Sequence, residues 1–119
     1  MQSRGSTAWV TQLRKGLMEL CVLRLLRRGE SYGYEIVRQL QALPALAVSE
    51  STIYPVLARL RAEGCIQARD APSPAGPSRR YFSLTARGRM RLAEYNAHWN
   101  AVIADLDSLH RPSRKESSP

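Results

Sequence analysis

The sequence predicts an α+β fold that is mostly α, on three observations. Three helical apolar patterns occupy the first half of the chain. Two short alternating segments follow, on either side of a Pro- and Gly-rich stretch. A long helical segment with heptad spacing comes last. The length of 119 residues suits one domain, and a domain of this size can bury a core without disulfides or metal.

Residues 9–27 read as the first helix. LMELCVLRLL (17–26) is apolar on nearly every side, which requires burial against more than one neighbour. Arg27 and Arg28 followed by Gly29 form a helix stop. Residues 32–43 read as a second helix, N-capped by Ser31 and closed by Pro44, with Ile36, Val37, Leu40 and Leu43 on one face. Residues 50–63 read as a third. Ser49 is its N-cap, Glu50 suits the positive end of the helix dipole, and Gly64 is the stop. Its inward stripe is Ile53, Val56, Leu57 and Leu60. Pro55 has no N–H and is best tolerated in a first turn, which predicts a helix starting nearer Thr52 than Glu50.

CIQARD (65–70) alternates as a short strand, DAPSPAGPS (70–78) reads as a loop, and RRYFSLT (79–85) alternates again. Two such strands around a loop make a hairpin. Thr85 opens a fourth helix that reaches about Leu109. This order is that of a winged helix-turn-helix with an N-terminal helix and a long C-terminal dimerisation helix. The expected division is a flexible N-terminus over 1–8, a winged-helix domain over 9–86, the dimerisation helix over 87–110 and a disordered tail over 111–119.

The formal charge is +8, from 18 Lys and Arg against 10 Asp and Glu. That excess favours a polyanionic partner, nucleic acid or an acidic membrane surface. The run MQSRGSTAWV lacks the apolar core of a signal peptide, and no stretch approaches a membrane span, so the expected location is the cytoplasm. Cys21 and Cys65 lie in apolar surroundings without CxxC spacing and read as buried reduced thiols.

A winged helix of this kind places its third helix in the major groove of double-stranded DNA. The outer positions of that helix hold Ser51, Thr52, Tyr54, Pro55, Arg59 and Arg61. Hydroxyls there can bond phosphates or base edges, and arginine can pair with either. Arg79 and Arg80 lie on the wing, where they suit backbone phosphates or a minor groove; the competing reading is a solvated surface.

SYGYEIVRQL (31–40), STIYPVLARLRAEGCI (51–66) and RRYFSLTARGRMRL (79–92) together resemble the PadR family of bacterial transcriptional regulators. The most specific features are the Tyr-Pro step in the third helix, the Leu-Arg-x-x-Gly turn into the wing, and the RYFSLTARG run after it. The resemblance covers roughly residues 13–109, and the short chain is similar to the small single-domain subfamily. It implies a homodimer, usually a repressor, whose affinity for an operator falls when an effector binds. Pro72, Pro74 and Pro77 set the wing apart from the family's.

Leu92, Tyr95, Trp99, Val102, Leu106 and Leu109 are spaced 3, 4, 3, 4, 3, an a/d seam expected to pack on a partner copy, including its first helix. Trp99 reads either as an interface anchor or as a platform for a planar aromatic effector. The resemblance favours the second, because in small PadR-like regulators the tryptophan fourteen residues after the wing's Leu-Thr stacks flat compounds at the dimer centre, and Trp99 follows Thr85 by fourteen. Leu13, Leu20, Leu92, Tyr95, Asn96 and Ile103 are expected to complete that slot.

No paired carboxylates, Ser-His-Asp set or Gly-rich phosphate loop point to an enzyme, and no cofactor or metal is expected. A redox-sensing variant would use Cys21 or Cys65. The rival from another class is a winged-helix protein-interaction module without specific DNA binding.

Overall fold

The computed structural model of the protein describes residues 4–110 and Pro112. Its elements are α1 (Arg4–Arg27), β1 (Ser31–Tyr32), α2 (Gly33–Gln41), α3 (Glu50–Ala62), β2 (Ile66–Ser73), β3 (Gly76–Leu84) and α4 (Ala86–Ser108). The strands form one antiparallel sheet in the order β1-β3-β2. This is the α+β, mostly α, winged helix-turn-helix arrangement expected from the sequence.

α1 is the centre of the core. Met18, Leu20, Val22, Leu23, Leu25 and Leu26 are all buried, which is why this run is apolar on every side. Around it pack Ile36, Val37 and Leu40 of α2, Ile53, Val56, Leu57 and Leu60 of α3, Ile66, Phe82 and Leu84 of the sheet, and Leu92 of α4. The helix starts at Arg4, so residues 4–8, expected within a flexible N-terminus, are helical; residues 1–3 lie outside the described residues. Once a helix is nucleated each further residue adds a bond cheaply, and no proline interrupts this stretch. The expected disordered tail, apart from Pro112, also lies outside the described residues.

α2 ends at Gln41, two residues short of the expectation, and leaves Leu43 47% exposed. Pro44 disfavours helical geometry at the residue before it. Ser31 is not the cap of α2. It is buried in β1, and its hydroxyl donates to Glu35 Oε1 at 2.5 Å. The two-residue strand β1 is absent from the sequence expectation, because a strand this short has no periodicity to read.

α3 begins at Glu50 rather than near Thr52, so Pro55 sits inside the helix. Pro55 is exposed, and water can satisfy the carbonyl it leaves without a donor. The expected loop over 70–78 is mostly strand, and only Pro74 and Ala75 form the turn. Pro72 lies where the β2–β3 register shifts, and the distal part of the hairpin has no third strand beside it, so prolines are tolerated.

Gly64 takes φ +76° and ends α3, and β2 starts two residues later. Thr85 then joins this turn to α4. Its hydroxyl donates to the Gly64 carbonyl at 2.6 Å and accepts from the Gly88 N–H at 3.1 Å. Replacing Thr85 by alanine removes both bonds and is expected to lower stability by about 1–2 kcal/mol in urea denaturation. A Thr85→Ser variant with the same stability as Thr85→Ala would show that the hydroxyl is not the cause.

Candidate nucleic-acid interface

The exposed face of α3 carries Ser51, Tyr54, Pro55, Ala58 and Arg61. A groove of about 510 Å³ runs between this face, the start of α2 and the wing, lined by Tyr32, Gly33, Tyr34, Tyr54, Arg61, Arg79 and Arg80 among others. It is therefore both aromatic and basic. Tyr54 lies close against the start of α2, where a Cβ on Gly33 would come within 3.0 Å of its ring. Burial raises the Tyr54 hydroxyl above its ordinary pKa, with Glu50 and Tyr34 adding to the effect, so it keeps its proton and can donate to an anion.

Among the DNA-contact residues expected from the sequence, Ser51, Tyr54 and Pro55 share this face, and Arg79 and Arg80 stand across the groove. Thr52 and Arg59 do not join them. They are seven residues apart and so lie along one side of the helix, the side toward α1. Thr52 is half-buried beside Met18, Leu46 and Val48, and Arg59 Nη2 donates to Glu19 Oε2 at 3.1 Å. Tyr32, Tyr34 and Arg61 complete the groove. The SYGY run is the available signal for the two tyrosines, since aromatic residues around a glycine at a helix start leave room for close packing.

Glu19 joins three helices. Besides Arg59 it receives the Tyr95 hydroxyl at 3.3 Å and lies 3.8 Å from Arg91 Nη1. Arg91 also donates to Glu63, which holds the Glu63 carboxyl below its usual range. Tyr95 is pushed up, by burial first and then by the Glu19 charge.

A second cleft of about 530 Å³ lies between α1 and α4, lined by Gly16, Leu17, Leu20, Glu94, Tyr95, His98, Trp99 and Val102. The structure thus brings Leu20, Tyr95 and Trp99 together. Leu92 is excluded from it and from any partner, being 3% exposed within its own core. Asn96 faces another groove and accepts from Arg24 Nε at 2.9 Å. Leu13 and Ile103 are exposed outside the cleft. The seam divides accordingly. Leu92, Tyr95 and Trp99 pack on the chain's own core, whereas Leu106 and Leu109 are 52% and 79% exposed. One periodic stripe serves two surroundings because α4 outruns the body it starts on.

Burial pushes the Cys21 thiol up against the opposing pull of Arg24, which is contrary to what a reactive thiolate needs. Cys21 and Cys65 are both free. Among the described residues no three His, Cys, Asp or Glu side chains gather as metal ligands, and no helix is long and apolar enough to cross a membrane.

Residues 22–94, more than half the chain, match the transcriptional regulator PadR-like family. The chain belongs to the PadR-like family of transcriptional regulators. A PadR-like regulator from Bacillus cereus is 33% identical over 86% of this chain and 99% of its own, with a TM-score of 0.76. A PadR family regulator from Eggerthella lenta is 27% identical, with 90% and 93% covered and a TM-score of 0.77. Bacillus subtilis PadR, solved in complex with operator DNA, is 29% identical over 66% of this chain and 46% of its own, at a TM-score of 0.59. The PadR match spans α2, α3 and the wing entire, the elements that build the aromatic and basic groove.

Proposed function

We propose that this protein is a homodimeric repressor that binds a specific double-stranded DNA operator and releases it when a planar aromatic effector binds. The observation that carries the DNA reading is the groove between α3 and the wing, where Arg61 and Arg79 have no carboxylate partner among the described residues. Guanidinium groups left unpaired in a concave surface suit phosphate oxygens, which accept their planar N–H fork. That a PadR protein of the same fold is solved on operator DNA supports the reading. Titration of a labelled duplex with the protein at rising salt tests it. Phosphate contacts release counterions, so log affinity is expected to fall linearly with log salt. Tight binding to a protein partner with no affinity for duplex DNA would instead favour an interaction module.

Dimerisation is assigned to the exposed end of α4. Leu106 and Leu109 continue the heptad beyond the body, and α1 adds the exposed Trp9 and Leu13. Leu106→Glu combined with Leu109→Glu is expected to shift the protein to monomers in sedimentation while leaving its circular dichroism spectrum unchanged. A dimer that persists in this variant would move the interface elsewhere. Truncation before Leu92 is not an equivalent test, because it removes a core residue.

The α1–α4 cleft is the proposed effector site. Its volume falls in the range of small-molecule sites, about 300–1,000 Å³, and Trp99 offers a ring face for stacking. In a Trp9→Phe background the remaining tryptophan emission reports Trp99 alone. Planar aromatic compounds that release DNA are expected to quench it, and release without any quenching would place the effector elsewhere.

A further inference from the structure

The arginines near the wing differ in what holds them. Arg69 donates to both Glu30 oxygens, at 2.7 and 2.5 Å, and Arg80 Nε donates to Asp70 at 3.1 Å. The Arg79 side chain makes no hydrogen bond or ion pair among the described residues. Its guanidinium lies over the ring of Tyr32, with Cζ 4.4 Å from the centroid. The ring face attracts the guanidinium charge, and the five N–H donors of that group meet no oxygen or nitrogen acceptor among the described residues. The contact therefore places the charge while leaving the donors without a hydrogen-bond partner.

Tyr32 is itself held. It pairs with Tyr81 across β1 and β3, and the two rings meet edge to face at 5.7 Å and 67°. Arg69 covers the Tyr81 ring at 4.9 Å, and Glu30 anchors Arg69. A continuous series from Arg79 through Tyr32, Tyr81 and Arg69 to Glu30 thus crosses all three strands. The two-residue strand β1 is what sets Tyr32 into this series.

We propose that Tyr32 is a positioning residue for DNA binding, holding the Arg79 guanidinium in the groove with its N–H donors open for a backbone phosphate. The proposal rests on the DNA-binding reading above. Its physical basis is preorganisation: an arginine already confined loses less side-chain freedom when the phosphate arrives.

The test measures affinity for a fluorescein-labelled duplex of about 30 base pairs and mixed sequence, between roughly 50 and 200 mM NaCl. Tyr32→Leu is expected to weaken binding roughly fivefold to tenfold, whereas Arg79→Ala, which removes the phosphate contact itself, is expected to lower the salt slope by about 0.9. Tyr32→Phe keeps the ring face and is expected to bind within about twofold of the wild type. In an Arg79→Ala background, Tyr32→Leu is expected to cause no further loss. An equal loss with and without Arg79 would overturn the proposal, because Tyr32 would then act only through the fold. Wild-type affinity in Tyr32→Leu would overturn it too. If Tyr32→Leu does not fold, successively fluorinated phenylalanines at position 32 keep the shape and withdraw charge from the ring face. Affinity must then fall with each fluorine, and a flat series refutes the stack. A wild-type protein without salt-dependent DNA binding would sink the DNA reading itself, whereas normal wild-type binding with an unaffected Tyr32→Leu sinks this proposal alone.

Discussion

Gly88→Ala is expected to destabilise the protein by roughly 3 kcal/mol or more, at the upper end of overpacking costs. A Cβ at Gly88 would stand 2.0 Å from the Cys65 carbonyl oxygen and 3.2 Å from Leu84 Cδ2. The obstacle is backbone at the turn between α3 and β2, which cannot rotate aside as a side chain does. Relief requires α4 to lift from that turn, which breaks the bonds from Thr85 to Gly64 and to Cys65. Helix propensity acts the other way, since alanine in a helix interior gains about 1 kcal/mol over glycine. Gly16 in α1 isolates that opposing effect, because its added Cβ meets nothing within 4 Å. Gly16→Ala is therefore expected to raise stability by about 0.5–1 kcal/mol. Denaturant midpoints for the two variants should move in opposite directions. A Gly88→Ala protein as stable as the wild type would show that α4 is not seated on this turn.

Arg61→Ala combined with Arg79→Ala is expected to weaken duplex binding by roughly a hundredfold or more, if each arginine contributes one charge-assisted bond of roughly 1.5–3 kcal/mol. The salt slope should fall by about 1.8, near 0.9 for each phosphate that no longer meets a guanidinium. Arg80→Ala should do less. Arg80 is already paired with Asp70 in an exposed bridge, with side-chain exposures of 54% and 60%, and must leave that partner to reach a phosphate. Arg59→Ala should act chiefly on stability, because Arg59 serves Glu19. Equal losses for Arg79→Ala and Arg80→Ala in filter binding or anisotropy would show that the Asp70 pair opens freely and that the two arginines are equivalent on DNA.

Much of the fold is legible in the sequence, for reasons particular to each segment. The stripes Ile36, Val37, Leu40 and Ile53, Val56, Leu57, Leu60 are buried as their spacing requires, because a helix repeats at a period that sequence displays directly. Gly29 and Gly64 end their helices with positive φ, a conformation glycine reaches without penalty. The start of α4 at Thr85 is readable as well, since a capping residue acts within one turn.

Other features depend on which surfaces meet. DAPSPAGPS reads as a loop, yet most of it is strand, because hairpin pairing and a register shift accommodate prolines that local propensity would reject. Thr52 and Arg59 read as part of the outward face of α3; in the fold Thr52 is half-buried, and Arg59, though exposed, is paired with Glu19 of α1. Leu92 reads as the first position of a dimer seam, but it lies in the core, whereas Leu106 and Leu109 on the later turns of α4 are exposed. The sequence by itself determined the helices and the order of the main elements among the described residues, since these follow from short-range periodicity and capping, and its SYGYEIVRQL, STIYPVLARLRAEGCI and RRYFSLTARGRMRL runs carried the resemblance to the PadR family. Only the tertiary structure decided which arginines have a carboxylate partner, because a carboxylate close in sequence and one far along the chain neutralise a guanidinium equally well once folding brings them together.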